Sequence, residues 1–197
     1  YGLIADRQML EDILGTTDLD AFIADYKEAD YEEFQQMVTA LNDYINQGKS
    51  ESFTLNGNSY QTQSDKTELT KKLNGVFSIA GAEKWTYGNH FGNYPISTVY
   101  ENVYDVRESE ADKADLMKSS IVKSLQELDF LSNYAAGPDG ATKRGAQFVN
   151  STVTGYDQAV QTFAESKAVF IKNGNWTYSN IANIDPEVAE RLVMLPM

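Results

Sequence analysis

The residues best suited to recognising a ligand are aromatic and gather at two points of the chain. Asn173-Gly174-Asn175-Trp176 follows the apolar run Ala168-Val169-Phe170-Ile171, and Tyr178 lies just beyond. A tryptophan delivered at the carboxyl end of a buried strand stands where open α/β sheets bind ligands. Trp85 and Tyr87 follow the run Val76-Phe77-Ser78-Ile79 and Gly81, again near a strand's carboxyl end. Glu83 and Lys84, just before them, can hydrogen-bond hydroxyl groups, as can Asn173 and Asn175. Each residue also has a structural alternative. Trp176 can cap the core, Trp85 and Tyr87 can form a packed helix face, and the asparagines can serve the backbone of a turn.

Other chemistries find little support. His90 is the only histidine, too few for a histidine-based metal site, and no acidic cluster has calcium-loop spacing. A Ser-His-Asp triad would have to use His90, and no Gly-x-Ser-x-Gly elbow accompanies it. Gly-rich phosphate loops are absent. With no cysteine, thiol nucleophiles and disulfides are excluded. Carboxylates are plentiful enough for a glycosidase pair, but nothing singles out two of them. The expectation is a binding protein, not an enzyme, with no cofactor and no metal.

The elements that must hold these residues alternate between strands and helices. Gly2–Ala5 reads as a strand and Arg7–Leu14 as a helix ended by Gly15. Asp18–Lys27 reads as helical. Asp30 and Glu33 have capping-box spacing before Phe34, Met37, Val38, Leu41 and Ile45, and Gly48 stops that helix. Phe53–Tyr60 has the Asn-Gly turn of a hairpin. Asp65–Leu73 reads as helical and Val76–Ile79 as a buried strand. Ala82–Tyr94 is aromatic and glycine-rich, with Pro95 closing it. Met117, Ile121, Leu125, Leu128 and Leu131 line one face of a long helix, and Gly137-Pro138-Asp139-Gly140 is a turn-rich break. A helix carrying Tyr156, Val160 and Phe163 follows, with Thr154 and Asp157 as its capping pair. Leu192–Pro196 reads as a last apolar strand. The alternation predicts one α/β domain over residues 1–197 with a mainly parallel sheet flanked by helices.

The 197 residues suffice for one sizeable core. Lys and Arg number 16 against 29 Asp and Glu, a net charge of −13. That argues against nucleic acid and against a polybasic membrane contact. No apolar run approaches the ~20 residues of a membrane span.

Residues 156–197 resemble the C-terminal lobe of extracellular solute-binding proteins of ABC importers (family 1, maltose-binding-protein-like). The likeness rests on Phe163, Lys167, Gly174, Trp176 and Leu195-Pro196, with Ser166 where the family usually has Gly. Leu3–Leu10 and Ala29–Phe34 resemble the family's entry into that lobe. The resemblance implies the three-layer lobe of a periplasmic-binding-protein-like (type II) fold, whose ligand lies between two lobes joined by a hinge. The other lobe and the final helices of this one would then lie outside these residues. It implies a sugar or oligosaccharide ligand, with Trp176 as a stacking platform and Trp85, Tyr87, Tyr178, Glu83 and Asn173 as further contacts. The physical basis is the weakly electropositive C–H face of a sugar against the negative face of an indole. ABC permease subunits are the implied partners. The implied location is extracellular, as a cell-surface lipoprotein or in a periplasm. A homodimer over the surface left by the missing helices is expected. The alternatives are a non-sugar ligand in the same fold, or a fragment of a carbohydrate-active enzyme.

Overall fold

The computed structural model describes residues 1–107, 113–136, 145–149 and 154–197. The turn expected at Gly137–Gly140 lies outside them. β1 (Gly2–Asp6) is buried throughout and passes directly into α1 (Arg7–Leu14), whose amino end is capped by the Asp6 carboxylate accepting the Gln8 N–H at 2.9 Å. Gly15 ends the helix in the left-handed conformation at φ 63°, where glycine carries no Cβ penalty. α2 (Leu19–Glu28) leads to α3 (Tyr31–Gln47). There the capping box forms: Asp30 accepts the Glu33 N–H at 2.9 Å, and Glu33 accepts the Asp30 N–H at 3.2 Å.

The hairpin of β2 (Ser52–Leu55) and β3 (Asn58–Gln61) turns through Asn56 and Gly57, at φ 49° and 75°. Asp25 and Glu33 grip its tip. Asp25 accepts from the Asn56 and Asn58 amides and the Tyr60 hydroxyl, and Glu33 accepts the Asn56 and Gly57 N–H groups.

Four expectations need correction here. Asp65–Leu73 holds only a single 3-10 turn, Thr70–Lys72, before β4 (Gly75–Ser78). The aromatic segment after β4 is helical: α4 (Lys84–Tyr87), a π turn at Gly88–Gly92, then α5 (Asn93–Val99). Pro95 does not close it: the helical run continues unbroken through it, and the Phe91 carbonyl, four residues before the proline that cannot serve it, accepts from the Ser124 hydroxyl at 2.9 Å instead. After α6 (Val103–Arg107), the long helix α7 (Lys113–Asn133) buries Leu131 but leaves Ile121 and Leu125 exposed. Its inner face carries Ser120 and Ser124 instead, and Ser124 donates to the Phe91 carbonyl at 2.9 Å. Past α8 (Ala146–Val149), α9 (Tyr156–Ala164) is capped at Gly155, whose N–H reaches the Gln158 side chain at 2.9 Å, rather than by Thr154 and Asp157.

β5 (Ala168–Asn173), α10 (Thr177–Ile184), α11 (Pro186–Glu190) and β6 (Leu192–Leu195) complete the chain. The sheet order is β4-β5-β1-β6. β4 and β5 are parallel, whereas β1 runs antiparallel to both β5 and β6. The sheet is therefore mixed rather than mainly parallel, since alternation of strands and helices does not reveal strand direction. β4, β5 and β6 point one way, and the amino end of β1 meets their carboxyl ends. Leu3, Ala5, Phe77 and Phe170 face the larger core under α1–α3, and Ile4 and Ile171 face α9–α11.

Ser166, in the turn between α9 and β5, is buried at φ 64°. A residue with a Cβ is strained there by about 1–2 kcal/mol. Ser166→Gly is expected to raise stability by about 0.5–1 kcal/mol in urea unfolding. A loss of stability would show that the contacts of the serine side chain outweigh that strain.

Candidate ligand-binding edge of the sheet

The carboxyl ends of β4 and β5, the amino end of β1 and the start of α9 converge on one edge. Trp85 and Trp176 both reach it, 41% and 46% exposed. Each is braced by a second ring. Trp85 lies 5.4 Å from Tyr156, and Trp176 meets the edge of Tyr1 at 5.1 Å. The two pairs are joined where the Tyr156 hydroxyl lies 3.3 Å from Thr177 Oγ1, next to Trp176.

Glu83 organises the first pair. Its Oε1 accepts the Tyr156 N–H at 2.9 Å and its Oε2 accepts the Trp85 indole N–H at 2.7 Å. These bonds hold its carboxyl below the usual range, the Tyr156 N–H first. Glu83 thus stands at the edge as expected, but as the clamp that orients Trp85.

Gly174 shapes the second pair. The six-membered ring of Trp176 lies against its Cα, where a Cβ would come within 2.1 Å of the ring. Tyr178, on the first turn of α10, is exposed.

Two expected contacts face inward. Asn173 is buried, and its Oδ1 accepts the Gly174 N–H at 2.8 Å, so it shapes the turn. Tyr87 packs against the main core near Phe91, and its buried hydroxyl has no partner among the described residues. Burial pushes its pKa up. The reason is helical geometry: two residues after Trp85, a side chain has turned about 200° to the opposite face.

Tyr1, Tyr156 and Lys172 also belong to the edge, although their sequence context does not mark them as ligand contacts. Lys172 is buried, donates to the Thr86 carbonyl at 2.6 Å, and lies over the rings of Phe91 at 4.7 Å and Tyr1 at 5.2 Å. Burial lowers its pKa to about 8, against the pull of Glu127. A lysine directly after the buried apolar run Ala168–Ile171 is the one signal that could have marked it. The edge offers flat, half-exposed aromatic faces on which a ligand can stack. No family model, curated protein or solved structure matches the chain.

Proposed function

We propose that this edge binds a saccharide, and that the protein is the substrate-capturing subunit of an ABC importer built on a periplasmic-binding-protein-like lobe. The observation that carries the reading is the pair of exposed tryptophans, each braced by a second aromatic ring, at the carboxyl ends of neighbouring parallel strands. Braced indoles lose little freedom on stacking, so the contact energy is retained. The resemblance of residues 156–197 to the importer family supplies the transport role, the permease partner and the second lobe that would close over the ligand. A single lobe offers half of the contacts, so affinity here is expected to be millimolar.

Intrinsic tryptophan fluorescence, titrated with mono- and oligosaccharides, tests the reading, because both tryptophans of the chain lie at this edge. The expected result is a saturable change that Trp176→Ala abolishes and Trp85→Ala weakens. A flat response to every sugar at high millimolar concentration removes the saccharide assignment.

A further inference from the structure

A concavity lies away from the tryptophans. It is a groove of about 660 Å³ between the α2–α3 corner, the segment from the π turn into α5, and α7, with Pro196 and Met197 at one end. That volume is in the range of small-molecule sites. One wall is Tyr26, Tyr31 and Phe34, with Phe34 6.3 Å from each of the other two rings. The lining also includes His90 stacked on Tyr94 at 6.3 Å, with an interplanar angle of 1°.

Glu127 enters this aromatic groove from α7. Among the described residues it makes no hydrogen bond, and none of the ion pairs includes it. Lys172 acts on it only at longer range and donates a hydrogen bond to the Thr86 carbonyl. Burial raises the Glu127 pKa, and the charge of Lys172 offsets only part of that rise. His90 is held neutral, its pKa lowered to about 4 by burial and by Lys172, so it does not repel a cation. The Tyr26 hydroxyl is committed to the Pro196 carbonyl at 3.0 Å. Lys27 and Lys123 border the groove from exposed positions, where their ammonium groups can extend into water.

We infer that this groove is a site for an organic ammonium group, held against its aromatic lining with Glu127 as its counter-ion. Aromatic faces attract such a cation through their quadrupole, and a partly buried carboxylate supplies the opposing charge. An anion would meet Glu127 and Asp30 as well as the exposed Lys27 and Lys123, and a neutral apolar guest would leave Glu127 without an ion-pair partner. The site is independent of the saccharide reading.

The test is amide NMR of the protein titrated with choline, and with the neutral isostere that has carbon in place of nitrogen. Saturable shifts are expected at Tyr31, Phe34, Tyr94 and Glu127, with the neutral isostere binding about tenfold or more weakly. Glu127→Gln should weaken choline to a similar degree, and Tyr94→Ala, at an exposed ring, should weaken it without loss of fold. Trp176→Ala should leave choline binding unchanged. Equal binding of both compounds, unchanged affinity in Glu127→Gln, or no shifts at high millimolar choline would each overturn the site. So would self-association that occupies the groove and excludes choline.

Discussion

Asp6→Ala is expected to cost about 3–5 kcal/mol of stability. Asp6 is 4% exposed, and it does two things at once. Its Oδ1 caps α1 through the Gln8 N–H, and it holds Arg191 by paired bonds, Nε to Oδ1 at 2.9 Å and Nη2 to Oδ2 at 2.8 Å. Losing the cap alone costs about 1 kcal/mol. Losing the carboxylate also takes the directly bonded counter-charge from a partly buried guanidinium, with Asp185 and Glu187 acting on it only at longer range, and that is the larger penalty. Asp6→Asn keeps a cap acceptor but not the paired carboxylate bonds, so its cost should fall between wild type and alanine. Urea midpoints of the three proteins check this order, and a cost below about 1 kcal/mol for alanine would refute the assignment. Asp6 lies at the end of β1 away from the tryptophans, so ligand binding by the folded fraction should not change.

Gly174→Ala is expected to remove saccharide binding about as completely as Trp176→Ala, a loss of about tenfold or more. The cause is local. The added Cβ would lie 2.1–2.5 Å from three atoms of the indole, far inside contact distance, and the ring must leave its seat. Gly174 is not among the residues at positive φ, so the backbone itself accepts alanine. Stability should therefore change by no more than about 1 kcal/mol. The structural half of the prediction is read from the tryptophan emission without any ligand, which should shift as the indole changes surroundings. An unchanged emission spectrum would show that the ring does not rest on Gly174.

Local signals in the chain are the legible ones. The capping box at Asp30, the stop at Gly48, the Asn-Gly hairpin and the four sheet strands can all be read from the residues, because caps, turns and apolar runs act over a few positions. The same short-range logic places Trp85, Trp176, Tyr178 and Glu83 at a strand's carboxyl end. It does not reach Tyr1 and Tyr156, since long-range strand pairing and the docking of α9 bring them there. Asn173 and Tyr87 depart from expectation because facing in or out depends on a rotation of one or two residues. The α7 stripe fails for a related reason: a helix packed closely on α5 turns its serines inward, and the apolar pattern alone cannot show that.

The strand pairings carry a kinetic consequence. Leu3 lies beside Leu195, and Gly75 beside Ala168, so the sheet closes loops of roughly 190 and 90 residues. The α1–α3 corner and its hairpin, by contrast, are held by bonds within one short stretch of chain. On refolding, helical signal should recover before the tryptophan environment does, because both indoles take their places only after β5 has found β1 and β4. The ligand edge is then the last part of the molecule to be built, and a bound ligand would act as a late clamp on the whole sheet.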